Sequence, residues 1–205
     1  MKPKDYHENI FMSQRSEHFF EIYLGSIGRP EDHINDINII RRATEADLIH
    51  IYINGPGGYV DTGLQYINAM RESRAKVVTI LDGAAASMCG NIFLAGHEMI
   101  VQPYAILMLH DMLHAFMHEK GIAVVQQSLD SYNRIFDKLI EDYIDGFLTK
   151  QEIQKIKDGS DFYLEGAEII ERLNKRYDSK NRKEDVVVEK TVKSKPRSRK
   201  RNVKK

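Results

Sequence analysis

Residues 75–83, AKVVTILDG, form a nearly continuous apolar run that ends at a glycine. A strand with one wet face alternates apolar and polar side chains. A run without that alternation implies a strand covered on both faces, the usual condition of a parallel sheet in an α/β fold. The neighbouring segments agree. FFEIYLGSI (19–27) and LIHIYING (48–55) read as strands stopped by glycine and proline, and HEMIVQ (97–102) and AILMLH (105–110) as two more. Between them, DHINDINIIRRATEA (32–46) carries Ile34, Ile37, Ile40 and Ala43 at helical spacing, and VDTGLQYINAMRES (60–73) repeats Leu64, Ile67 and Met70 on one face. AASMCGNIFLAG (85–96) is small and apolar and predicts a tightly packed helix. A long helix is expected over about 120–146, then the amphipathic TKQEIQKIKDG, and EGAEIIERLN (165–174) closes the body. Alternating strands and helices with short links predict an α/β architecture with crossover connections.

Charge divides the chain more sharply than hydropathy does. The totals balance at 30 Lys+Arg and 30 Asp+Glu, yet residues 175–205 hold 14 basic residues against 4 acidic ones. The last sixteen residues, KTVKSKPRSRKRNVKK, contain nine basic residues, no acid and two valines as the only apolar side chains. Such a segment buries too little apolar surface to offset the entropy of ordering. The expected organisation is a flexible arm over 1–18, a folded domain over 19–177 and a disordered basic tail over 178–205. The tail is suited to nucleic acid or another polyanion through phosphate contacts, or simply to solubility. One cysteine, Cys89, excludes a disulfide framework and any Cys-rich zinc module. With no run of 18 apolar residues and no apolar leader at the start, a cytoplasmic protein is the expectation.

Three strand ends carry residues capable of chemistry. Asn54-Gly55-Pro56-Gly57-Gly58 leads a strand through a glycine turn into a helix, where backbone N–H groups can turn outward as an oxyanion hole requires. Gly83-Ala84-Ala85-Ala86-Ser87-Met88-Cys89-Gly90 sets a serine at a strand-to-helix junction among residues too small to block a substrate. Ala105 to His110 is an apolar strand that delivers a histidine at its C-terminal end, and a base beside a serine hydroxyl is the minimal acyl-transfer pair. Each feature also has a structural reading: a tight turn, helix packing, a strand-end histidine. His110, His114 and His118 recur every four residues, but His110 ends a strand and no acid completes an H-E-x-x-H pattern, so zinc is disfavoured. Cys89 has no adjacent cation and reads as a packing residue.

Taken in order, INGPGGYVDTG, DGAAASMCGNIFLAG and AILMLH resemble the active-site segments of ClpP, the proteolytic subunit of the Clp proteases. Members carry an INSPGG turn, a G-x-AASMG serine segment and a strand ending M-I-H. Gly58 precedes Ser87 by 29 residues, as in the family, and the resemblance runs from about Phe20 to Asn174. It implies a ClpP/crotonase-type ββα superhelix with a handle helix over 120–146. It also implies a serine endopeptidase with Ser87 as nucleophile, His110 as general base, and the amides of Gly58 and Met88 as oxyanion donors. The family's third residue is an Asp in an R-D-x-F-L segment. Ser160-Asp161-Phe162-Tyr163-Leu164 matches it, with Asp158 as the fallback. No metal or organic cofactor is implied. The implied partners are polypeptide substrates, further copies of the chain in a homo-oligomeric ring, and an AAA+ unfoldase.

The chain departs from the family pattern at Asp111-Met112-Leu113-His114, where members follow the histidine with Gln-Pro and a glycine pair. It departs again at Ser160, where members carry an Arg linked to contacts between rings. The N-terminal segment does not resemble the family's axial loops, and the basic tail has no counterpart. Other readings are a phage prohead maturation protease of the same type, a crotonase-type acyl-CoA hydratase or hydrolase, and a catalytically silent ring subunit.

Overall fold

The computed structural model describes residues 17–112 and 121–178. His114, His118, most of the N-terminal arm and the basic tail beyond Asp178 lie outside the described residues. The strands are β1 (Phe19–Leu24), β2 (Leu48–Gly55), β3 (Lys76–Ala86), β4 (Glu98–Val101), β5 (Ile106–Leu109) and β6 (Phe162–Glu165). The helices are α1 (Ile34–Arg42), α2 (Val60–Glu72), α3 (Met88–Leu94), α4 (Ile122–Leu139), α5 (Lys150–Lys157) and a helix α6 over 166–178. A 3-10 turn (Pro30–His33) precedes α1, and α4 runs into a wider π turn (Ile140–Ile144). Among the described residues, no helix is long and apolar enough to cross a membrane.

One sheet of order β1-β2-β3-β5-β6 organises the molecule, with β4 also pairing to β3. All pairs are parallel except β5–β6. The expectation for AKVVTILDG holds: Val77 to Leu81 are buried without a break, as a strand sandwiched between layers requires. In β2, Ile49, Ile51 and Ile53 are fully buried and alternate with more exposed neighbours. Helices α2 and α3 cover the core face with Tyr66, Ile67, Met70, Ile92 and Phe93.

Several boundaries differ from the sequence reading, each for a tertiary reason. Strand β3 continues three residues past Gly83, and α3 begins only after Ser87. The extension exists because β3 changes partners. Its first half pairs with β4 through Val78–Leu81, and its end pairs with β5 through Ala84–Ala86. Between these halves the register with β2 shifts, from Ile53↔Leu81 to Gly55↔Ala85. Asn54 bridges the irregularity by accepting the Ala84 N–H at 3.1 Å. Ile34 opens α1 and is 53% exposed, so only Ile37, Ile40 and the capping Ala43 of the expected stripe are buried. In α4 only Phe136 and Leu139 are buried, and the first turn leaves Ile122 and Val124 exposed.

Strand β6 was not expected. Four residues, FYLE, carry too little pattern to announce a strand, and they become one by pairing with the free edge of β5. A capping box at Thr149 starts α5: Glu152 N–H donates to Thr149 Oγ1 at 3.2 Å, and Thr149 N–H donates to Glu152 at 2.8 Å. The same Glu152 carboxylate accepts two bonds from Arg172 on α6, at 2.8 and 3.0 Å. The Arg172 guanidinium, helped by Thr149, holds Glu152 well below the ordinary carboxylate range, at about 2. The fork locks α6 to α5 across the loop that leads into β6. At the other end of the domain, Glu17 and His18 donate backbone N–H groups to Ala46 O and Asp47 Oδ1 at 2.8 and 3.1 Å.

Candidate active site

The end of β3 brings the serine to a turn of unusual backbone geometry. Ser87 has φ 55° and ψ −124°, the one non-glycine residue with positive φ among those described. A β-carbon in that region is strained, and the strain is held by the surroundings. The Ser87 N–H donates to Met108 O at 2.9 Å, pinning the serine to the neighbouring strand two residues before His110. Its carbonyl accepts from Gly90 and Asn91 N–H as α3 starts. A sharp strand-to-helix turn of this kind lifts a side chain clear of both elements.

The glycine turn lies directly against it. Gly57 has φ 96°, and a β-carbon there would stand 2.7 Å from Ser87 Cβ and 2.8 Å from Ala86 O. Gly58, at φ 144°, leaves room for Ile27 O, which a β-carbon would meet at 2.1 Å. Ile27 N–H donates to Gly57 O at 2.9 Å and Ile27 O accepts from Tyr59 N–H at 3.0 Å. Peptide groups alternate sides along an extended segment, so these two bonds turn the Gly58 N–H away from Ile27. Met88 is the first residue of α3, where a helix has no internal acceptor for its N–H.

A cleft of about 310 Å³ joins these parts. Gly58, Ser87, Met88 and His110 all line it, and Val60, Met108 and Phe136 supply apolar wall. Four of the five residues anticipated from sequence therefore share one cavity. Asp161 does not line it and is exposed. Its neighbour Phe162 pairs with Leu109, the residue before His110, at the end of the β5–β6 register. Asp158 sits at the C-terminal end of α5, where its carboxylate accepts from Gln154 at 2.9 Å.

Cys89 is fully buried and donates weakly to Gly25 O at 3.4 Å. Burial pushes its thiol up to about 11, which keeps the sulfur neutral and unreactive. Two residues of the site region have roles that the sequence does not announce. Asn91 lines the cleft, is 7% exposed, and donates from Nδ2 to Ser87 O at 3.3 Å. Asn54 holds the end of β3 as described. An asparagine inside an otherwise apolar helical stretch was the available signal for the first.

A sequence profile described as Clp protease matches residues 30–172 of this chain. Among similar proteins, proteolytic subunit 2 of the ATP-dependent Clp protease of Prochlorococcus marinus (strain MIT 9313) is 32% identical over 124 residues. That alignment covers 58% of this chain and 60% of the relative's length.

Proposed function

The chain belongs to the Clp protease family, and from that premise we propose that it is a serine endopeptidase acting through Ser87, His110 and Asp161. The observation that carries the reading is the shared cleft. A serine on a strained strand-to-helix turn lines one cavity with a strand-end histidine and two candidate amide donors. In this mechanism Ser87 Oγ attacks the scissile carbonyl while His110 takes its proton. Asp161 across the β5–β6 pair holds the imidazole in the required tautomer. The amides of Gly58 and Met88 hold the tetrahedral oxyanion, water then releases the acyl-enzyme, and side chains and backbone supply all of the chemistry.

The proposal extends to assembly. Exposed Ile122 and Val124 on the first turn of α4 favour burial against another copy, which supports a handle-like role in a homo-oligomeric ring. The designation of the relative as a subunit of an ATP-dependent protease supports an ATP-driven unfoldase as partner and polypeptides as substrates. A reducing cytoplasmic setting suits the single buried Cys89.

Labelling with a fluorophosphonate, followed by sizing of the labelled particle, tests the reading. Wild type is expected to label in a ring-sized species, and Ser87→Ala to lose both labelling and peptide hydrolysis. Undiminished hydrolysis by a folded Ser87→Ala would remove the nucleophile. Absence of labelling in folded wild type would favour the acyl-CoA or silent-subunit readings.

A further inference from the structure

Gly58 is an oxyanion donor only if its turn is held in place, and the holding runs through the segment 27–28. Ile27 grips both neighbours of Gly58, as described. Gly28, the next residue, is itself held on both peptide groups. Its carbonyl accepts from Thr62 Oγ1 on α2 at 2.9 Å, and its N–H donates to His33 Nε2 at 3.0 Å. Thr62 is fully buried and the His33 side chain is 11% exposed, so both contacts are partly shielded from water.

His33 accepts at Nε2 only as a neutral ring with its proton on Nδ1. The surroundings enforce that tautomer. Nδ1 lies 3.0 Å from Tyr66 Oη, and Tyr66 donates its own hydroxyl proton to Asp36 Oδ2 at 2.8 Å. The phenol proton is therefore committed to Asp36, and Tyr66 Oη is left to accept from Nδ1–H. Tyr66 is fully buried, and burial together with the Asp36 carboxylate drives its ionisation out of reach, so the phenol remains a donor. The connection runs by hydrogen bonds from Asp36 through Tyr66 and His33 to Gly28. It continues covalently to Ile27, and from Ile27 by hydrogen bonds to Gly57 and Tyr59, the two neighbours of Gly58.

We infer that His33 is a positioning residue for the oxyanion hole. Oriented by Tyr66 and Asp36, it fixes the backbone on which the Gly58 amide is aimed. It touches no substrate and moves no proton in the reaction. The inference rests on the peptidase reading above, and it assigns to the 3-10 turn a role that the three motif segments do not contain.

The test uses the full-length chain, a small fluorogenic peptide and a peptide boronate that forms a tetrahedral adduct. His33→Leu removes the acceptor for Gly28 N–H. It is expected to lower kcat about 10-fold to 100-fold with KM within about twofold, and to weaken boronate binding by a similar factor. His33→Gln carries an acceptor to the same distance and is expected to recover most of both. Tyr66→Phe leaves the ring unanchored and is expected to lower kcat by about threefold to tenfold. A His33→Leu enzyme with kcat within twofold of wild type would overturn the inference. So would a loss that appears equally in boronate and product-peptide affinity. If His33→Leu fails to fold, His33→Gln decides: a kcat as low as that of Tyr66→Phe or lower means the acceptor is not what matters. Ser87→Ala, run alongside, reports on the peptidase reading separately. Undiminished hydrolysis there overturns both, whereas dependence on Ser87 with indifference to His33 overturns this inference alone.

Discussion

The two halves of the candidate site are built to different standards. The nucleophile and oxyanion half rests on the long parallel strands β2 and β3, and nearly every peptide group beside it is committed. Ser87 is held by Met108, Gly57 and Tyr59 by Ile27, and Ala84 by Asn54. The histidine and aspartate half rests on two strands of four residues each, β5 and β6, paired antiparallel at the edge of the sheet. There Asp161 is exposed and lies just before the first residue of β6. Groups that stabilise developing charge act only when they are pre-aimed, because reorganising them during the reaction forfeits their effect. A tautomer can be selected by a carboxylate held less tightly. Under the proposed mechanism, rigid donors beside a less tightly held acid would suit the demands of the chemistry.

The largest expected effect separates the two acids of the edge half. Asp161→Asn should lower kcat about 10³-fold to 10⁴-fold, as loss of the orienting carboxylate does in triads. Asp158→Asn should change it little, because that carboxylate is engaged by Gln154. Steady-state kinetics on a short peptide decides, and the reverse order would assign the third role to Asp158.

Gly57→Ala probes the rigid half. A β-carbon at φ 96° and 2.7 Å from Ser87 Cβ must push the serine turn or the glycine turn aside. A loss in kcat of about 100-fold is expected, of the size seen when one oxyanion donor is misplaced. An unchanged kcat, with the thermal midpoint unchanged as well, would mean the turn is less rigid than its hydrogen bonds imply.

A smaller effect concerns stability at the edge half. Glu152→Gln should cost about 2 kcal/mol at neutral pH, the scale of hydrogen bonds to a charged group. The folded carboxylate titrates near 2, below its ordinary 4.5. Its contribution is therefore fully present above about pH 4.5 and is lost as pH falls toward 2. Urea unfolding of both proteins across that window should show the gap closing with acid. A gap that stays constant would show that the Arg172 fork is not its source. The smallest effect is expected from deleting residues 179–205, which should leave small-peptide cleavage unchanged. A large loss would place the tail within the working enzyme.

Much of this could be read from residue order. The nearly continuous apolar character of Val77 to Leu81, broken only by Thr79, implied a strand covered on both sides, and it is buried throughout. Glycines 57 and 58 implied a turn whose backbone N–H groups could face outward, and both adopt positive φ. These are local properties, set by side-chain polarity and by the presence or absence of a β-carbon, and sequence displays them directly.

What remained hidden depends on partners distant in the chain. Nothing in GAAAS indicates that β3 changes neighbour from β4 to β5, which is what carries the strand on to Ala86 and delays the helix until after Ser87. FYLE is a strand only because β5 offers it an edge. His33 is one polar residue in an amphipathic stretch, and it acquires its place from Gly28 behind it and Tyr66, 33 residues ahead. The identities of the chemical groups were determined by the sequence alone. Their pairing was decided by tertiary structure, because a hydrogen bond or strand register between remote segments has no signature in either segment taken singly.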